Sequence, residues 1–128
     1  MLFRSQYGAF SPVKGYKVNG ELTLGENIGD NSGLAVAYKA YKLSLKGKKA
    51  PVIDGFTGDQ RFYMGWAQVW RTKFRDAALI ARVKTDPHSP GPFRANGTLR
   101  NQPGFYEAFS VKEGDKMYVK PEDRIIIW

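Results

Sequence analysis

The sequence predicts a mainly α-helical fold with irregular loops. Two long stretches, residues 23–45 and 60–83, repeat apolar side chains at helical spacing, and lysines occupy the other side of the first. Prolines and glycines interrupt the rest of the chain, and residues 85–103 hold four of the seven prolines. With 128 residues, of which 42% are hydrophobic, the chain has the size and composition of a single unit that buries a core.

The first half of the chain is predicted to contain one long helix. Residues 1–20 mix glycine, proline and asparagine with scattered aromatic side chains, which predicts an irregular lead-in. Residues 23–45 form the first helix because their apolar residues recur every three or four positions. Residues 46–58 then form a loop, whose Val52-Ile53 pair we expect to dock on the core.

The second half is predicted to contain a long helix, a long loop and a short helix. Asp59 is expected to cap a helix over residues 60–83. The proline-rich residues 85–103 predict a loop. Residues 104–128 predict a short helix followed by a C-terminal tail, whose apolar end Ile125–Trp128 we expect to be buried.

The composition narrows the classes of function. There is no cysteine, which rules out a disulfide framework and thiol catalysis. No apolar run approaches the roughly 20 residues that span a bilayer, so we expect no membrane segment and a soluble chain, although the compartment stays open. The net charge of +8 favours acidic partners, but we interpret the main lysine cluster as a solvated helix end, and no motif points to nucleic acid. The clustered lysines are Lys39, Lys42, Lys46, Lys48 and Lys49.

The start of the first helix carries two carboxylates one turn apart. Glu26 and Asp30 share one helical face, so they can hold a metal ion and orient its other ligands. Thr23-x-x-Glu26 also fits a capping box, in which Glu26 reaches back to the backbone instead, and the pattern alone does not decide between the two. Together with His88 and Arg94 in the proline-stiffened loop, these carboxylates resemble the parts of a hydrolytic metal site.

Several motifs together carry a resemblance to a known family. In this order and spacing they resemble the C-terminal part of a neprilysin or endothelin-converting-enzyme-like zinc metallopeptidase, from about Val18 to Trp128. The segments are Asn19-Gly20, Glu26-Asn27-Ile28-Gly29-Asp30, Ala67-Gln68-Val69-Trp70, Thr85-Asp86-Pro87-His88-Ser89-Pro90-Gly91-Pro92-Phe93-Arg94, Phe105-Tyr106-Glu107-Ala108-Phe109 and the terminal tryptophan. The fold that the resemblance implies is the C-terminal helical part of a thermolysin-like (zincin) catalytic domain.

The resemblance implies catalytic roles for four residues. Glu26 corresponds to the third zinc ligand, and Asp30 to the carboxylate that orients a zinc-bound histidine. His88 corresponds to the residue that hydrogen-bonds the oxyanion, and Arg94 to the one that grips a substrate carbonyl while facing Asp30. The implied cofactor is Zn²⁺, held in the context of the full catalytic domain, and the implied substrate is a peptide.

The same resemblance gives Val69 and Trp70 a role in substrate binding. They correspond to walls of the pocket for the side chain just after the scissile bond, which implies cleavage before bulky apolar residues. A place in the hydrophobic core is the other interpretation of both residues.

The chain departs from the family pattern in one major respect. The family's first two zinc ligands and its general base come from a His-Glu-x-x-His helix, whereas this sequence has a single histidine, His88. One carboxylate does not hold catalytic zinc, so we expect this polypeptide to be inactive alone and to need the upstream part of the catalytic domain. Without that part, exposed apolar surface is expected to promote self-association. The alternative is a non-catalytic binding module that keeps the fold and binds a partner through its basic or apolar surface.

Overall fold

The computed structural model describes residues 3–127, and these residues are mainly α-helical and contain no β-strand, which confirms the predicted fold class. None of the described helices is both long and apolar enough to cross a bilayer. The helices are α1 (Phe3–Gly8), α2 (Leu24–Ser44), α3 (Gly58–Val69), α4 (Asp76–Thr85), α5 (Gly91–Leu99) and α6 (Pro103–Phe109), followed by a 3₁₀ turn at Pro121–Asp123.

Helix α5 lies at the centre of the packing, in contact with α1, α2 and α3, while α6 packs on α3. Two apolar clusters fill the space around it. The larger lies among α2, α3, α5 and α6, and its buried members are Leu34, Tyr63, Leu99, Phe105 and Tyr106. The smaller joins α1 to the segment before α2, and its buried members are Phe3, Tyr7 and Val18.

The buried face of α2 is mostly polar. Asn27, Asp30 and Asn31 are buried beside Leu34, and each has hydrogen-bond partners, as buried polar groups require. Asn31 illustrates the pattern, since its side-chain amide donates to the Ile125 carbonyl and accepts from the Gln102 side chain. The helix spans nearly the predicted range, but hydrogen bonds as well as apolar contacts fix its position.

The predicted helix over residues 60–83 is two helices. Residues 70–75 leave the helical path between α3 and α4 because this segment lies against the start of α5. A Cβ at Gly91 would lie 2.6 Å from the Trp70 carbonyl oxygen and 2.4 Å from the Thr72 hydroxyl oxygen. Apolar spacing continues across the break, so periodicity alone did not reveal it.

The prediction of a loop over residues 85–103 is also wrong, because α5 forms in the middle of this segment. Its prolines lie at positions that a helix tolerates. Pro90 is the residue before the first turn, and Pro92 lies in the first turn, where a missing N–H breaks no helical hydrogen bond. Pro103 begins α6 for the same reason. The number of prolines therefore gave a wrong prediction of a loop, whereas their positions are compatible with the two helices.

Smaller expectations need correction as well. The lead-in contains α1, which forms because Phe3, Gln6 and Tyr7 are buried. Val52-Ile53 does not dock on the core, since these side chains are 63% and 48% exposed. Thr57, not Asp59, caps α3, through a reciprocal capping box with Gln60.

The apolar C-terminal end was predicted to be buried and is only partly so. Ile125 and Ile127 are half-buried against the smaller cluster. Ile126 faces the other way along this extended segment and is 63% exposed. Trp128 lies outside the described residues.

Two glycine substitutions test the packing around α5. A Cβ at Gly97 would lie 2.7 Å from the ring of Tyr7, which is fully buried, so Gly97→Ala should destabilise the chain by about 1–3 kcal/mol. Gly33, inside α2, has open space around it, so Gly33→Ala should stabilise by up to about 1 kcal/mol. Urea unfolding followed by circular dichroism measures both changes, and equal effects of the two substitutions would contradict this packing.

Candidate active site

The first turn of α2 leaves the Glu26 carboxylate free of the backbone. Thr23 makes no capping hydrogen bond with its side chain; its hydroxyl donates to the Asn19 carbonyl and accepts from the Asn27 amide. The capping-box interpretation is therefore wrong. Glu26 is 46% exposed at its side chain, and its Oε2 lies 3.2 Å from His88 Nε2.

Arg94 on α5 and Asp30 on α2 form a largely buried, bidentate ion pair. Arg94 Nε and Nη2 donate to the two Asp30 oxygens at 2.6 and 2.7 Å, and the side chains are 13% and 9% exposed. Burial by itself lowers the pKa of Arg94, but the hydrogen bonds and charge of Asp30, together with Glu26, raise it overall. The guanidinium is therefore always charged, and it fixes α5 against α2 in one register.

Trp70 brings the end of α3 to the same place. Its ring lies under the Arg94 guanidinium, 3.9 Å from Cζ to the ring centroid, which is a close cation–π contact. Val69, its neighbour in the chain, is 68% exposed and does not join this contact. Three helices thus meet at Arg94.

Asp86 orients the imidazole of His88. One Asp86 oxygen, Oδ1, accepts the His88 backbone N–H at 2.9 Å and lies 2.7 Å from His88 Nδ1. The other oxygen, Oδ2, pairs with Arg82 at 2.6 Å. Burial works to raise the pKa of Asp86, but the His88 hydrogen bonds and the Arg82 charge outweigh it and lower the pKa. An ionised Asp86 therefore holds Nδ1, which leaves Nε2 facing Glu26.

A buried polar chain attaches the histidine loop to α2. Ser89 is 2% exposed and donates to Asn27 Oδ1 at 2.8 Å, and Asn27 in turn donates to Thr23. Because Ser89 follows His88 directly, this bond sets how far the imidazole stands from Glu26. Pro87 and Pro90 restrict the backbone on either side.

The structure brings five of the six predicted site residues together: Glu26, Asp30, His88, Arg94 and Trp70. Val69 is the exception. Sequence reasoning missed the supporting residues Asp86, Asn27 and Ser89. Aspartate side chains in turns often accept a hydrogen bond from the backbone N–H two residues on, so the sequence offered a signal for Asp86. Nothing in the sequence indicated the bond between Asn27 and Ser89.

The described residues do not form a zinc site by themselves. No group of three or more histidine, aspartate or glutamate side chains among residues 3–127 is arranged to hold a metal ion. Catalytic zinc has three protein ligands, whereas the accessible donors at this site are the Glu26 carboxylate and His88 Nε2, which are fewer than three. The donor set therefore fits part of a zinc centre, not a complete centre.

Removing the carboxylate at Asp30 tests how much the site depends on its ion pair. Asp30→Asn keeps the shape but leaves the buried Arg94 charge without its partner, which should lower the free energy of unfolding by about 3 kcal/mol. The matched control is Lys42→Gln, which removes the exposed Lys42–Asp59 pair and should cost less than about 1 kcal/mol. Urea denaturation at pH 7 compares them, and an Asp30→Asn effect no larger than the control would refute a stabilising role.

Comparison with known proteins identifies the family. Residues 2–125 match the sequence profile of peptidase family M13. The chain is 42% identical to human neprilysin over 129 aligned positions, which cover 96% of the chain and 17% of neprilysin, and 42% identical to neprilysin-1 of Caenorhabditis elegans, over 88% of the chain and 15% of that protein.

Solved structures agree. The Mycobacterium tuberculosis zinc metalloprotease Zmp1 in complex with an inhibitor superposes with a TM-score of 0.96 at 51% identity, over 98% of this chain and 20% of Zmp1. PepO from Lactobacillus rhamnosis superposes with a TM-score of 0.80 at 36% identity, over 98% of this chain and 18% of PepO. The chain spans about a fifth or less of these relatives. It belongs to peptidase family M13, the neprilysin-like zinc metallopeptidases, and corresponds to the C-terminal helical part of their catalytic domain.

Proposed function

We propose that this chain supplies the C-terminal part of the active site of a zinc metalloendopeptidase, with Glu26 as one zinc ligand. The observation that carries the proposal is the convergence of Glu26, His88 and the Asp30–Arg94 pair on one surface. Zinc, when bound, polarises a substrate carbonyl and lowers the pKa of water. Membership in the family supports this activity, and the accessible Glu26 carboxylate supplies a suitable donor.

Arg94 is proposed to bind a backbone carbonyl of the peptide substrate. Its Nε and Nη2 are engaged by Asp30, whereas no described residue accepts a hydrogen bond from Nη1. The guanidinium is held between the Asp30 carboxylate and the Trp70 ring, so Nη1 is presented in a fixed direction. Each Asp30 oxygen accepts one hydrogen bond from Arg94 and keeps a further lone pair, with which Asp30 is proposed to steady a histidine ligand of the zinc.

His88 is proposed to donate a hydrogen bond to the carbonyl oxygen of the scissile peptide as negative charge develops on it. In the imidazolium form, Nδ1–H is donated to Asp86 and Nε2–H points toward Glu26, where the substrate carbonyl would lie. A donor fixed before the reaction stabilises the transition state without reorganisation. The Ser89–Asn27 bond and Pro87 keep the ring in place.

Val69 and Trp70 are proposed as walls of an apolar pocket for the residue after the scissile bond. Val69 is 68% exposed on this chain and is available for that role, while one face of Trp70 is covered by Arg94. The rest of the pocket would come from the upstream part of the domain. A preference for bulky apolar residues follows from burying such a side chain between these walls.

An apolar groove along the start of α2 would suit docking of the upstream part of the catalytic domain. The groove, of about 480 Å³, contains Leu24 and Ile28 from the first two turns of α2. Phe3, Arg4, Ile125 and Ile127 line the rest of it. The family relatives place four-fifths or more of their length outside the region that this chain matches, so they contain the segments to fill it. In the isolated chain, the same groove would favour self-association.

The experiment is to compare this chain alone with the same chain joined to the upstream part of an M13 relative that carries His-Glu-x-x-His. The substrate is a peptide with quenched fluorescence and with phenylalanine after the scissile bond. It should be cleaved only by the joined protein, and a zinc chelator should abolish cleavage. Glu26→Gln should lower kcat/KM by at least about 100-fold, because it removes a zinc ligand.

Glu21→Gln is the matched control, since Glu21 is an exposed carboxylate in the turn just before α2 and should leave cleavage unchanged. Chelator-sensitive cleavage by the 128-residue chain alone would overturn the proposal that it is inactive by itself. Full activity of the joined Glu26→Gln protein would overturn the role of Glu26.

A further inference from the structure

The connection between α2 and α3, residues 45–57, exposes large apolar side chains far from the candidate active site. We call it the α2–α3 loop. Val52 is 63% exposed, Ile53 48% and Phe56 43%, and Leu43 in the last turn of α2 is 69% exposed. Single exposed apolar residues are common, but four within fourteen residues concentrate exposed apolar area in one segment, as interaction surfaces often do. We call these four side chains the apolar patch.

The fold holds these side chains outward. Ile53 and Phe56 exchange backbone hydrogen bonds across a tight turn, in which Asp54 and Gly55 have left-handed φ values of 51° and 79°. The Arg61 guanidinium donates to the Pro51 and Phe56 carbonyls at 2.7 and 2.8 Å and so closes the loop from the α3 side. The loop is therefore fixed with its apolar side chains in solvent, and it does not collapse onto the core.

Lysines lie in the same loop as most of the apolar patch. Lys46, Lys48 and Lys49 are exposed, and no carboxylate among residues 3–127 forms an ion pair with any of them. Lys42 is paired with Asp59, and Asp54 is the single acidic residue of the loop. The three lysines thus outnumber Asp54, so the loop carries a net positive charge beside its exposed apolar side chains.

A groove of about 480 Å³ joins the two kinds of side chain. Lys48 and Lys49 line it together with Leu45 and Val52, and Asp59, which is paired with Lys42, also lines it. A ligand in this groove would contact ammonium groups and apolar carbon at once. An anionic lipid offers the complementary groups, a phosphate next to an acyl chain.

We propose that the α2–α3 loop is a docking site for a membrane surface rich in anionic phospholipid. The lysine ammoniums would contact lipid phosphates while their long stems follow the apolar patch, and Val52, Ile53 and Phe56 would enter the acyl boundary. Composition favours a lipid surface over a protein partner, because lysine is depleted in protein–protein interfaces, where arginine and aromatic side chains are preferred. The apolar patch disfavours nucleic acid, whose phosphates would leave it uncovered.

The test measures co-sedimentation of the 128-residue chain with vesicles of phosphatidylcholine alone or with 30% phosphatidylglycerol added. Binding is expected only to the anionic vesicles and should weaken with salt. Replacing the three lysines, Lys46→Gln, Lys48→Gln and Lys49→Gln, should lower the partition coefficient at least about ten-fold. Replacing two apolar side chains, Val52→Ser and Ile53→Ser, leaves the charge unchanged and should also weaken binding about ten-fold.

The matched control is a variant that loses the same charge outside the loop, through Lys14→Gln, Lys112→Gln and Lys116→Gln. All three of these lysines are exposed. It should bind within about two-fold of the unmodified chain, with circular dichroism showing that all variants are folded. The proposal is overturned by equal loss in the control, by unchanged binding of the serine variant, or by equal binding to uncharged vesicles.

Discussion

The Asp30–Arg94 ion pair is the interaction on which the arrangement of the site depends. It joins α2 to α5 through two short hydrogen bonds, and the Trp70 ring beneath the guanidinium adds the end of α3. Because a bidentate guanidinium–carboxylate pair tolerates little rotation or sliding, it defines where the three helices stand relative to one another. Glu26 lies one turn before Asp30, so its position follows from the same constraint.

Around this pair, the molecule uses buried polar groups where an ordinary helical unit would use apolar packing. Asn27, Asn31, Ser89 and Asn101 are almost fully buried and hydrogen-bonded to side chains distant in sequence. Such contacts add little net stability but strongly disfavour alternative packings, because any slip leaves a buried polar atom unsatisfied. This suits a surface that holds a carboxylate, an imidazole and a guanidinium in fixed positions.

The fold class could be predicted from the sequence, and so could most of the residues that lie together at the candidate site, for different reasons. Apolar spacing located α2 even though its buried face is mostly polar, and the order of motifs located Glu26, Asp30, His88 and Arg94. The break before α4 and the helix α5 were missed. They depend on contacts distant in sequence, such as the approach of Gly91 to Trp70, and on the position of each proline within a turn. The partners Asp86 and Ser89 were missed because a hydrogen bond between distant residues leaves no periodic pattern.

Hydrogen exchange at the Arg94 side chain, measured by ¹⁵N-resolved NMR, tests most directly whether this ion pair orders the site. The Arg94 Nε–H is buried and donated to Asp30, so it should exchange at least about ten-fold more slowly than the Nε–H of exposed Arg71. In the Asp30→Asn variant, this protection should be lost. Exchange of Arg94 as fast as that of Arg71 in the unmodified chain would contradict the central role of the pair.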